Sequence, residues 1–200
     1  MKKLKIFNIA LVCGLISAIF ISMLSFTEAC QEMYDSIIRI RIIANSDSDF
    51  DQNLKLSVRD AVLDASKTVY TDVSSYDDAV KLTSDNTDHL LNAAENVLLQ
   101  RGAGYNVTVD IREEFFSTRV YDDFTLPAGN YKTAVFTLGE GKGENWWCVI
   151  YPTVCVGACS ESLDKTLSKE SSDIAYNPEK YVIKFKTVEV FEKIKKYFDF

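Results

Sequence analysis

The residues able to do chemistry crowd into one stretch, Gly139–Pro152, which reads GEGKGENWWCVIYP. Gly139-Glu140-Gly141-Lys142-Gly143 has the composition of a phosphate cradle. A phosphate loop needs four residues between its first glycine and a Gly-Lys pair, then Ser or Thr opening a helix. Here Lys142 is followed by Gly143 and the next element reads as a strand, so the spacing argues against nucleotide binding. What remains is a loop whose glycines permit positive φ. It runs through Glu144 and Asn145 into Trp146 and Trp147, and aromatic anchors of this kind build partner-binding surfaces.

Cys148 is the one nucleophile in that stretch. A catalytic cysteine needs a histidine to lower its pKa and a third group to orient the pair. The chain has a single histidine, His89, on a helical segment between Asp88 and Leu90. Strand alternation puts Cys148 on a face with Trp146 and Ile150, where a cysteine acts as a small buried hydrophobe. Local pairing with Cys155 or Cys159 competes with that reading. Cys148, Cys155, Cys159 and His89 have the right types for zinc but no C-x-x-C knuckle, so neither metal nor cofactor is expected. The sequence contains no Asp-Thr-Gly, Asp-Ser-Gly or Gly-x-Ser-x-Gly motif, which removes the aspartic proteases and the serine elbow hydrolases.

The elements that must hold this stretch are readable in order. Ile37–Ala44 alternates Ile38, Ile40 and Ile42 against Arg39 and Arg41, a strand with one apolar face. Asn45-Ser46-Asp47-Ser48-Asp49 is turn and cap chemistry, and Ser48 with Asp51 forms a capping box. The helix it opens reaches Tyr70, with Leu54, Val58, Ala61, Val62, Ala65 and Val69 on one stripe. Ser75 with Asp78 opens a second helical region to Arg101, breakable in its polar middle, Thr83–Asp88. Gly102 and Gly104 supply the stop.

Strands follow at Tyr105–Ile111, Phe115–Phe124, Tyr131–Leu138 and Trp146–Tyr151, with turns at Pro127–Asn130 and Gly139–Asn145. Their short connections predict an antiparallel meander packed against the two N-terminal helices, an α+β fold. The first strand is expected to join this sheet beside a neighbour the sequence does not name. Beyond Pro152 the pattern weakens. Tyr181–Lys186 reads as a strand, and Val190, Ile194 and Phe198 as the inner stripe of a closing helix with Lys193, Lys195 and Lys196 outward.

Residues 1–29 read as a leader and 30–200 as one exported domain. Lys2, Lys3 and Lys5 precede Ile6–Phe26, an uncharged apolar run long enough for a signal peptide or for a membrane anchor. Thr27-Glu28-Ala29 before Cys30 is a poor cleavage site, so both fates stay open. The basic start places the rest of the chain outside the cytoplasm. Taking away Lys2, Lys3, Lys5 and Glu28 with the leader moves the net charge from −7 to −9. Such acidity excludes a generic nucleic-acid binder and disfavours a peripheral role on anionic lipid. With Cys13 in the apolar run and Cys30 at its edge, Cys148, Cys155 and Cys159 are the cysteines of the folded part and leave an odd one, so a disulfide framework is not what holds it.

Three separated motifs carry a resemblance. They are Ile40–Ser48 with Asp51-Gln52, Leu54-Lys55 and Val58–Val62; Phe124–Tyr131; and Gly139–Gly143 with Asn145–Val149. Across about Ile38 to Pro152 the chain resembles the stage II sporulation protein R family. The resemblance implies a signal made in the forespore and exported into the space between the septal membranes. There it would trigger a membrane-embedded aspartic protease of the mother cell that removes the pro-sequence of sigma-E. It supplies no catalytic residues. Asn45, Ser46 and Asp47 of the turn, with Glu140, Lys142, Glu144, Asn145, Trp146 and Trp147, are the candidate contacts. The rival expectations are a secreted thiol enzyme acting on envelope peptide or peptidoglycan through Cys148, and a structural envelope protein.

Overall fold

The computed structural model describes residues 2–71, 73, 75–121, 123–152 and 166–198. In order the elements are α1 (Lys2–Tyr34), β1 (Ile38–Ile43), α2 (Asp49–Val69), α3 (Tyr76–Asp85) and α4 (Thr87–Arg101), then β2 (Val107–Phe116), β3 (Arg119–Val120), β4 (Thr125–Leu126), β5 (Gly129–Leu138) and β6 (Asn145–Tyr151). A helix α5 (Lys169–Tyr176), a 3-10 turn (Pro178–Tyr181) and α6 (Val182–Phe198) close the described chain. The α+β class and the two capped helices are as the sequence implies. Ser48 and Ser75 each accept the third residue's amide, at 3.2 Å in both cases. Asn86 divides α3 from α4, and Gly102 ends α4 at φ 69°.

The meander is overturned. The sheet order is β2-β5-β1-β6, with β1 parallel to β5 and antiparallel to β6. The first strand thus lies between two strands that sequence reading joins as a hairpin. Ile38–Ile43 is buried or half-buried along its whole length, as a central strand covered on both faces must be. The expected strand Phe115–Phe124 is also divided. Its start continues β2, which pairs with β5 along its whole length, and its remainder supplies β3, which pairs with β4 just beyond it.

Two cores flank the sheet. On one side α2 and α4 bury Leu54, Val58, Val62, Leu90, Ala94 and Leu98 against Ile38, Ile40, Ile42, Phe136 and Ile150. On the other, Met33, Ile37, Phe116, Leu126, Tyr131 and Val149 meet Phe26, Ala29 and Cys30 of α1 and Ile174, Phe185 and Val188 of the closing helices. The leader–domain boundary at residue 29 therefore falls inside a continuous helix whose last two turns are core. Tyr181–Lys186 is the end of the 3-10 turn and the start of α6 rather than a strand. On α6 it is Phe185 and Val188 that are buried, whereas Val190 and Ile194 are exposed. The side chains of Lys193, Lys195, Lys196 and Phe198 lie outside the described residues.

The second core explains why Arg39, expected on a solvated face, has no exposed surface. Its guanidinium lies 3.8 Å from the Phe116 ring centroid and 5.0 Å from that of Tyr131. Nη2 donates to Tyr121 Oη at 2.6 Å, while Nε and Nη1 find no acceptor among the described residues. Burial draws its pKa down, with nearby Arg119 acting the same way and Tyr121 opposing. Aromatic faces replace a carboxylate here. A buried cation so weakly compensated costs stability. Arg39→Met is therefore expected to raise the thermal midpoint, by the equivalent of about 1–3 kcal/mol. Circular dichroism melting in mild detergent checks this, and a lowered midpoint would show that the aromatic cage outweighs desolvation.

Candidate functional site

Placing β1 between β5 and β6 forces the β5–β6 connection to bridge the end of β1. The span is two strand spacings, about 10 Å, and the glycines fit the loop into it. Gly139 and Gly141 adopt φ 54° and 62°. Gly143 packs so closely on the Ser46 carbonyl that a Cβ there would collide with it.

As the loop crosses, it ties to the turn that leaves β1. Gly143 N donates to Ala44 O at 2.9 Å, Lys142 N to Asn45 O at 3.1 Å, and Ala44 N to Glu144 O at 3.4 Å. Side chains complete the knot. Asn45 Oδ1 accepts from Glu140 N at 2.9 Å, and Asp47 Oδ1 from Glu144 N at 2.7 Å. Lys55 Nζ, buried on α2, donates to Glu144 O at 3.0 Å. Burial lowers the Lys55 pKa, against the pull of Glu144 and Asp47.

Asp51 is the hub beneath this knot. One carboxylate oxygen accepts from Asn45 Nδ2 at 2.9 Å and Ser46 Oγ at 2.5 Å, and the other accepts from Tyr105 Oη. Burial works against ionisation, but the hydrogen bonds from Ser46, Tyr105 and Asn45 outweigh it and hold the carboxyl below the usual aspartate range. Burial and then the same charge push the Tyr105 phenol well up. The sequence marks Asp51 only as a capping residue. Its links to Tyr105, and the part played by Lys55, join residues 54 and 89 positions apart and leave no local signal.

The candidate contacts thus divide. Asn45, Ser46 and Asp47 spend their polar atoms inside the knot. Glu140, Lys142 and Glu144 have exposed side chains, the first two ion-paired at 2.7 Å. Phe50, in the first turn of α2, is 49 % exposed and was not picked out by pattern. Asn145 Oδ1 accepts from Arg41 Nε at 3.0 Å, and Arg41 also pairs with Glu114 at 3.1 Å. Trp146 and Trp147 are half-buried on opposite faces of β6, under Arg59 at 5.5 Å and Arg119 at 4.2 Å. They do not make one aromatic patch.

Cys148 is buried and disulfide-bonded, which leaves it neither a free thiol nor a nucleophile. Its partner, with Cys155 and Cys159, lies outside the described residues. His89 is exposed on α4, its ring 3.5 Å from Thr68 Oγ1, and no hydrogen bond joins it to Cys148. Among the described residues no group of three or more His, Cys, Asp or Glu is arranged to hold a metal ion.

The model of the family described as Stage II sporulation protein R matches residues 34–161. The chain belongs to the stage II sporulation protein R family. It is 37% identical over 145 residues to the Stage II sporulation protein R of Bacillus subtilis (strain 168), across 70% of this chain and 65% of that relative. No solved structure matches. The family match takes in the whole sheet and both halves of the knot, whereas α5, α6 and nearly all of α1 fall outside it.

Two outcomes follow from this geometry. A depressed Asp51 pKa contributes stability that is fully present above the unfolded value, about 4, and lost as pH falls through the folded value. Asp51→Asn should cost about 1–3 kcal/mol at pH 7, a deficit that shrinks in melts at pH 3. An equal deficit at both pH values would deny the linkage. Gly143→Ala should lower the melting midpoint, whereas Gly104→Ala, with nothing within 4 Å of the added methyl, should leave it unchanged.

Proposed function

We propose that this chain is an exported intercellular signal of sporulation, made in the forespore. In this reading it binds the extracytoplasmic part of the mother cell's membrane-embedded aspartic protease and switches on processing of pro-sigma-E. Membership of the stage II sporulation protein R family carries the reading. The apolar N-terminal helix fits the export step. A ligand shifts a protease toward its active state only by binding that state better than the inactive one.

The knot is the surface we assign to that contact. Its backbone is fixed by hydrogen bonds from β1, α2 and the loop, so little ordering cost is left for the moment of binding. Outward it offers Glu140, Lys142 and Glu144, with Phe50 beside the turn as an apolar anchor. Catalysis forms no part of the reading, and a disulfide-bonded Cys148 gives the thiol-enzyme alternative no support.

We further read the N-terminal helix as retained. Cleavage before Cys30 would strip Phe26 and Ala29 from the second core, where Phe26 stands 5.8 Å from the Tyr181 ring and 5.4 Å from that of Phe185.

Co-expression with the protease and pro-sigma-E in a non-sporulating host tests the reading. Processing should appear with the chain and disappear without its export segment. Processing that ignores the chain would end the proposal. In the same assay Lys142→Ala with Glu144→Ala, both side chains exposed, should leave the melting midpoint unchanged and cut processing about tenfold, a loss of about 1.4 kcal/mol in coupling. Unchanged processing would move the contact elsewhere on the domain.

A further inference from the structure

Ile6–Phe26 forms the outer part of α1, and at 1.5 Å per residue its length of about 31 Å matches a hydrocarbon core. The last third of that run is not alone. Ala18, Ile19 and Met23 border a groove of about 740 Å³ whose other wall is the 3-10 turn and the start of α6, including Val182 and Ile183. Lys184 Nζ donates to Ser22 O at 3.1 Å and lies 5.5 Å from the ring centroids of Phe26 and Tyr181. The corner is therefore fixed to α1 on the outer side of the span, below Phe26.

Depth follows from that attachment. Ala18–Met23 lies three to eight residues before Phe26, about 5–12 Å inside the outer boundary of the hydrocarbon. Whatever packs beside these residues shares their depth. What packs there is apolar and uncovered: Val182 is 58 % and Ile183 82 % exposed, across the groove from exposed Ile19 of α1. Lys184 and Lys186 flank the two, and both ammonium groups are partnered, that of Lys184 by Ser22 O and that of Lys186 by Glu189, each at 3.1 Å. Glu179 and the Asp173–Lys180 pair, 3.0 Å apart, occupy the same corner and must extend to the headgroups.

We propose that this corner is a second membrane contact, with Val182 and Ile183 set among the acyl chains of the outer leaflet. The inference rests on the retained-anchor reading above. The acidity of the whole domain does not oppose it, because burial of apolar side chains drives the contact. The domain then sits on the bilayer in one orientation, joined at two places, rather than hanging from a flexible tether.

The test uses the full chain with every cysteine outside the Cys148 disulfide replaced by alanine, reconstituted in vesicles of phosphatidylcholine and phosphatidylglycerol. Bimane is attached at Ile183→Cys, at Ile16→Cys within the span, or at Leu99→Cys, a site 79 % exposed on α4. Brominated acyl chains should roughly halve the emission at 183 and at 16 and leave that at 99 unchanged. Quenching at 16 without quenching at 183 overturns the second contact and leaves the anchor standing. No quenching at either overturns the anchor and the contact together. Equal quenching at 99 reports nonspecific adsorption of the domain and likewise overturns the proposal.

Discussion

The placement of β1 between β5 and β6 is the constraint from which most of this structure follows. Six residues, Ile38–Ile43, pair on both edges, and both faces of the strand are covered by helices or hairpin. A central strand leaves no backbone amide or carbonyl to water, so its neighbours are held tightly in register. Two strands consecutive in sequence are thereby kept one strand apart. Their connection cannot be a tight hairpin turn. It must cross the end of β1, and there it meets the turn by which β1 leaves the sheet.

The knot is the consequence. Its loop and its turn come from segments about ninety residues apart, yet each supplies the hydrogen-bond partners that the other's irregular backbone needs. Asp51 collects three donors from the turn and from the strand region beyond α4, and Lys55 caps a loop carbonyl from below. Glycines at 139, 141 and 143 leave room for this approach. The exposed charges thus stand on a frame already ordered by folding, so the contact proposed for them needs little rearrangement.

The same central strand creates the second core. With Ile38, Ile40 and Ile42 given to α2 and α4, Arg39 faces the other way and is sealed by Phe116, Tyr131 and Tyr121. The end of α1 and the C-terminal helices complete that layer. Glu32 of α1 accepts from the backbone and hydroxyl of Ser168, both at 2.6 Å, at the start of α5. An apolar N-terminal segment and a poorly patterned tail are thus joined to one another through the sheet.

The sequence by itself determined what depends on near neighbours. Alternation of Ile38, Ile40 and Ile42 marks a strand, the stripe Leu54–Val69 a helix, Ser48 with Asp51 and Ser75 with Asp78 their starts, and Gly102 a stop. Its three motifs also identify the family, because those residues stand in fixed order along the chain. Tertiary structure alone decided the rest. Nothing local in Gly139–Pro152 says that another strand lies between β5 and β6, nor does Ile37–Ala44 say that Arg39 is sealed. Tyr181–Lys186 alternates like a strand yet forms helix, since Phe185 and Val188 reach the second core only at helical spacing. Such choices turn on which distant surface is left to cover, and that surface exists only once the sheet has formed.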